Sequence, residues 1–203
     1  MKLIVDKLSV IRGGRSILAE LSFRVEAGAS LLLMGPNGAG KTTLIRTLAG
    51  LIPAATGRLW LEDAGTEASV GELSHYVGHL NALKANLTVA ENARFWVGFL
   101  GGNREIWQAL DAFGLSALED IPAAYLSAGQ RRRLALARLL LAPRPIWLLD
   151  EPATSLDEEA QAALSAAVAA QLGSGGLVIA ATHQPLGWPN ARELRLKPAA
   201  RTA

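Results

Sequence analysis

Gly35-Pro36-Asn37-Gly38-Ala39-Gly40-Lys41-Thr42 decides how this chain is read. The stretch matches the pattern G-x-x-x-x-G-K-[ST], which arises by chance in on the order of one in a hundred chains of this length. Its flanks reduce that chance further. Ahead of it, Leu31 to Met34 is continuously apolar, as in a strand covered on both faces. Behind it, Leu44, Ile45 and Leu48 fall on one face of a helix. A glycine-rich turn between a buried strand and a helix points successive backbone N–H groups at an anion. The helix N-terminus adds its partial positive charge. Lys41 then serves as a point charge for the β- and γ-phosphates of a nucleotide. The Thr42 hydroxyl serves as a ligand for Mg²⁺, with Thr43 beside it in the first helical turn.

A second strand carries the acids such a site needs. Ile146-Trp147-Leu148-Leu149-Asp150-Glu151 is an apolar run ending in two carboxylates. At the C-terminal edge of a parallel strand they face the ligand crevice. Asp150 is the candidate metal holder and Glu151 the candidate general base for an attacking water.

Around these two strands the pattern changes along the chain. Leu3 to Leu8, Leu21 to Val25 and Ser30 to Met34 read as strands, with turns at Gly13-Gly14 and Ala27-Gly28. From about Asn86 to Ala142 the chain reads as helical. Thr88 with Glu91 forms a capping box ahead of Val89, Ala93, Trp96 and Leu100. Ile106, Leu110 and Phe113 form a second apolar face, ended by Gly114. Ser127 and Gln130 form a further capping box ahead of Leu134, Ala137 and Leu141. Leu177 to Ala181 is again a buried strand, preceded by an Ala-rich helix that Ser155 and Glu158 are expected to cap and that runs to about Leu172. The expectation is a single α/β domain over 1–203, its core about 1–85 and 143–198, with a helical subdomain of about 86–142 inserted. The end after about Pro198 reads as frayed.

Composition narrows the function classes. Cysteine is absent, which excludes a disulfide framework and a thiolate metal site. The formal net charge is only +2, too little for the basic stripe of a nucleic-acid binder. The one basic run, Arg131-Arg132-Arg133, is expected to be a solvated helix face. No apolar stretch reaches the roughly 18 residues that span a bilayer. Asp6 and Lys7 interrupt Met1 to Val10 where a signal peptide needs an apolar centre. Work at a membrane would therefore require another chain as anchor.

Leu126-Ser127-Ala128-Gly129-Gln130 completes a set. Phosphate loop, L-S-x-G-Q, the Asp150-Glu151 strand end, Ser155-Leu156-Asp157 and His183 stand in the order and spacing of ABC ATPases. The chain resembles that family over nearly its whole length. The resemblance implies a P-loop NTPase fold of the ABC type, with a mixed or parallel sheet core. It implies hydrolysis of ATP with Mg²⁺ in a head-to-tail dimer. Ser127, Gly129 and Gln130 of one copy would face the γ-phosphate of ATP held on residues 35–42 of the other. Asp157 would join the two sites, and His183 would contact the γ-phosphate.

Two positions depart from the usual pattern. His79 stands where these ATPases usually carry Gln, and its ring nitrogen can still bond a water or a Mg²⁺ ligand. Arg12 stands where an aromatic usually stacks on adenine, and a guanidinium plane can stack there too. Val77-Gly78-His79, Lys84, Leu87 to Asn92, the Ile11-Arg12 start, alanine inside the signature and Thr182-His183-Gln184 resemble the ATP-binding subunit of the cytochrome c maturation system, the so-called haem exporter. That resemblance implies a peripheral subunit on the cytoplasmic face of the bacterial inner membrane. A membrane-spanning permease-type partner would dock near His79 to Asn86, and no nucleic acid is involved. His75 and His79 are not assigned to haem. The alternatives are the ATPase of an exporter for another small molecule and a soluble ABC ATPase acting on DNA or ribosomes. A chromosome-type protein would need heptads between Lys41 and Leu126, and there are none.

Overall fold

Two kinds of hydrophobic pattern build two different sheets. Alternation in β1 (Lys2–Arg12) and β2 (Arg15–Glu26) gives an antiparallel hairpin that turns at Gly13 and Gly14, both at positive φ. The continuously buried β3 (Ser30–Met34) belongs instead to a parallel sheet and leads into α1 (Lys41–Leu48). Strand β4 (Thr56–Glu62) then returns to pair with β1, so the first sheet has the order β2-β1-β4. The computed structural model describes residues 1–65, 67–102 and 105–198, so the expected fraying after about Pro198 lies outside the described residues.

The parallel sheet has the order β5-β6-β7-β3-β8, built from β5 (Ser74–Val77), the helices α2 (Val89–Leu100), α3 (Ile106–Ala112) and α4 (Ala128–Ala137), then β6 (Ile146–Asp150), α5 (Glu158–Gly173), β7 (Leu177–Ala181) and β8 (Ala191–Arg195). Side chains alternate across it into two cores. Leu33, Ile146, Leu148 and Ile179 meet α1 and the antiparallel sheet on one side. Leu32, Trp147, Leu149 and Val178 meet α5 and the α2–α4 helices on the other. This is why β6 and β7 are buried at every position.

Local capping follows the sequence in two helices and departs from it in a third. Thr88 with Glu91 and Ser127 with Gln130 both form complete capping boxes. In α5, however, the cap is Asp157, whose Oδ1 accepts from Ala160 N at 2.9 Å. Ser155 instead takes a left-handed turn, φ 64, before the helix begins. The basic run departs as well: Arg131 and Arg133 are half-buried, but Arg132 is buried. Of the tryptophans, Trp147 and Trp188 are core residues, whereas Trp60 and Trp107 are exposed.

His75 sits inside β5, its Nε2 2.8 Å from the Ala142 carbonyl. Burial pushes its pKa down to about 4, with the Ala142 carbonyl opposing and Arg138 and Arg144 adding to the shift. The folded chain therefore keeps His75 neutral at pH values where the unfolded chain protonates it. Its contribution is complete above the unfolded value of 6.5 and is lost as pH falls toward 4. Urea unfolding should lose about 3 kcal/mol through this residue between neutral pH and pH 4. His75→Gln should flatten that slope.

Candidate functional site

Helix α1 begins without a side-chain cap. Its N-cap is Gly40 at φ 95, so the first-turn N–H groups are left for an outside acceptor. A Cβ at Gly40 would sit 2.8 Å from Leu18 Cδ2, and one at Gly35 (φ 141) would run into the Leu196 carbonyl. Both glycines are therefore required by approach as well as by φ. The resulting cleft, about 450 Å³, is lined by Ile17, residues 36–43 and Glu151. Lys41 is buried and its Nζ donates to the carbonyls of Gly35 (2.7 Å) and Pro36 (3.4 Å), which braces the loop from inside.

Strand β6 delivers the acids to this cleft. The Thr42 hydroxyl donates to Asp150 Oδ1 at 3.0 Å. Asp150 is 2% exposed, and its Oδ2 is buried with no hydrogen-bond partner. Burial raises its pKa; the Thr42 bond opposes this, Glu151 adds to it, and the charges of Arg46 and His79 oppose it. An orphaned carboxylate oxygen beside a threonine hydroxyl at a phosphate loop is a donor set suited to Mg²⁺ and its waters. The residues present fit that ion.

Glu151 follows in a left-handed conformation, φ 49. Its N–H donates to the Ala181 carbonyl at 2.9 Å, and its Oε2 lies 2.9 Å from Nδ1 of the largely exposed His183. The loop after β7 and the end of β6 thus bring together Glu151 and His183, two of the three residues expected to act in catalysis, Lys41 being the third. His79 is exposed and acts on Asp150 through its charge. Arg12 is exposed at the hairpin and lines a neighbouring cleft of about 400 Å³ with Arg46, Tyr76 and Leu80, apart from the phosphate loop.

Ser127, Gly129 and Gln130 do not line the phosphate cleft of their own chain. Ser127 caps α4, its Oγ accepting from Gln130 N at 3.2 Å. A Cβ at Gly129 would sit 3.0 Å from the Ser155 carbonyl, so packing within the chain already demands a small residue there.

Sequence reasoning missed Arg132. Its guanidinium donates to the carbonyls of Gly78 (2.8 Å), Asp150 (2.9 Å), Glu151 (2.8 Å) and Pro152 (3.4 Å), and to Asn81 Oδ1 (3.3 Å). Burial lowers its pKa and the carboxylates of Asp150 and Glu151 oppose that. One signal was present: Leu136 and Leu139 follow Arg132 at i+4 and i+7, which puts it on the inward face.

A phosphate loop after β3, paired acids at the end of β6 two strands away, and the signature segment at the start of α4 together define an ABC-type ATPase. Residues 18–154 match the ABC transporter family, and the chain belongs to it. It is 50% identical to the "Cytochrome c biogenesis ATP-binding export protein CcmA" of Nitrobacter winogradskyi, over 98% of this chain and all of that protein. It is 49% identical to the protein of the same name in Rhizobium meliloti, over 97% of this chain and 98% of that one. Among solved structures, a putative ABC transporter ATP-binding protein from Pyrococcus furiosus shares the fold. The TM-score is 0.84 at 23% identity, covering 97% of this chain and 98% of that one.

The raised pKa of Asp150 means that its charged form costs the nucleotide-free fold stability, a cost relieved as pH falls through the raised value. Asp150→Asn should therefore raise the thermal midpoint of the nucleotide-free chain, while abolishing Mg²⁺-dependent hydrolysis. A lowered midpoint would contradict the assignment of that strain.

Proposed function

We propose that the chain is the ATP-hydrolysing motor subunit of a membrane ABC complex that serves c-type cytochrome biogenesis. The observation that carries this reading is the full-length similarity to CcmA proteins, in a chain whose Thr42, Asp150, Glu151 and His183 converge on one cleft. The α/β core spans about 1–85 and 143–198, and residues of about 86–142 form the helical subdomain.

ATP binds with its phosphates on residues 35–43. Lys41 neutralises the β- and γ-phosphates, and the uncapped first turn of α1 supplies N–H donors. Thr42 and Asp150 would hold Mg²⁺, which when bound supplies charge for the phosphate oxygens. Glu151 orients and deprotonates the attacking water, and His183, bonded to it through Nδ1, holds the base and meets the γ-phosphate. Ser127, Gly129 and Gln130 act on the nucleotide of a second copy in a head-to-tail dimer. Their absence from their own chain's cleft fits that role. Arg12, from its neighbouring cleft, is assigned to adenine stacking, and His79 to the water network around Asp150.

Among the described residues no helix is long and apolar enough to cross a membrane. Membrane attachment then falls to a permease-type partner docking along residues 79–86. The exposure of Leu80 (79%) and Leu51 (60%) beside that cleft supports the placement. The motor sits on the cytoplasmic face of the bacterial inner membrane.

Glu151→Gln should cut phosphate release by roughly 10²–10⁴-fold and trap an ATP-bound dimer on gel filtration. In a strain lacking this chain, haem staining for c-type cytochromes should be lost, restored by the parent chain and not by Glu151→Gln. Staining that persists without the chain would remove the cytochrome c role and leave an ABC motor for another small molecule.

A further inference from the structure

We propose that Arg132 is a positioning residue for hydrolysis, locking the backbone of Glu151 to the signature helix and to the loop that carries His79. This rests on the reading of Glu151 as general base and adds to it the part that holds the base in place.

Glu151 has φ 49, a conformation that strains a residue with a Cβ and persists only where its surroundings enforce it. Its N–H is tied to Ala181 on β7. On the other side, Arg132 bonds three successive carbonyls, those of Asp150, Glu151 and Pro152, and so brackets the strained residue from both ends. The same guanidinium reaches Gly78 and Asn81, on either side of His79. A planar fork with five N–H donors can serve all of these at once, and a lysine ammonium with three cannot.

Arg132 also stands one turn into α4, the helix that Ser127 caps. A push on the helix N-terminus, where the partner's nucleotide is proposed to bind, is carried through this rigid turn to the Glu151 carbonyl. Arg132 thereby connects the signature surface of one site with the base of the other, within a single chain. Neighbouring Arg138 makes no such link: it bonds the Tyr76 carbonyl and lies over the Trp96 ring, 4.7 Å from its centroid.

The test is a double-mutant cycle on the full chain: parent, Arg132→Gln, Glu151→Gln and the pair. Phosphate release and binding of a fluorescent ATP analogue are measured on each, with thermal melting as the fold check. The expected result is a fall in kcat of at least about tenfold for Arg132→Gln, with analogue affinity within about threefold. In the Glu151→Gln background the same substitution should change the residual rate by less than about twofold, because the group it positions is gone. Arg132→Lys should resemble Arg132→Gln in rate. A kcat within about threefold of the parent, or an equal fall in both backgrounds, overturns the proposal. If Arg132→Gln does not fold, the cycle is run with Arg132→Lys, and failure of both to fold assigns Arg132 to the core and overturns it too. A Glu151→Gln chain hydrolysing at the parent rate would instead remove the role of Glu151 itself.

Discussion

The Thr42 hydroxyl and the Asp150 carboxylate meet at 3.0 Å across 108 residues of sequence. For that contact to exist, α1 must leave β3 at the height where β6 ends. β7, lying between β3 and β6, must hold the two strands in register. The parallel order β6-β7-β3, buried on both faces, supplies that register. The remaining features of the cleft follow from it. Lys41 precedes Thr42, Glu151 follows Asp150, and β7 delivers His183 two residues beyond its end. A carboxylate oxygen is left buried without a partner at the centre, at a cost to the nucleotide-free fold. On the proposed reading, charge held where a cation and phosphates would bind is strain retained for function.

What was legible in the sequence is what depends on neighbours along the chain. The phosphate loop, the capping boxes at Thr88 and Ser127, and the apolar runs of β3, β6 and β7 are all set by residues a few positions apart. The misread features depend on distant partners. Three consecutive arginines look solvated until carbonyls from Gly78 and from residues 150–152 converge on the middle one. Ser155 with Glu158 looked able to cap α5, but Ser155 takes a left-handed turn and the cap falls to Asp157. Edge strand β8 carries Arg192, Glu193 and Arg195 in five residues, a charged pattern that suits an edge and hides a strand.

The signature segment shows the same dependence at the level of function. Within its own chain, Ser127 is satisfied as a helix cap and Gly129 is constrained by the Ser155 carbonyl, so a single copy explains both residues by packing alone. What a single copy leaves unexplained is an exposed helix N-terminus, preceded by the exposed Tyr125, that lies outside its own chain's phosphate cleft. The proposed second copy in head-to-tail arrangement would give that N-terminus an anion and would add a wall to the phosphate cleft.

Mixing two inactive chains tests that arrangement most directly. Lys41→Ala keeps a signature segment and no working phosphate loop, and Ser127→Arg keeps the loop and no working signature. Each alone should fail to hydrolyse ATP, while an equal mixture should recover up to roughly a quarter of the parent rate, from the one complete site in each mixed dimer. A mixture as inactive as its components, with mixed dimers present, would contradict a nucleotide shared between two copies.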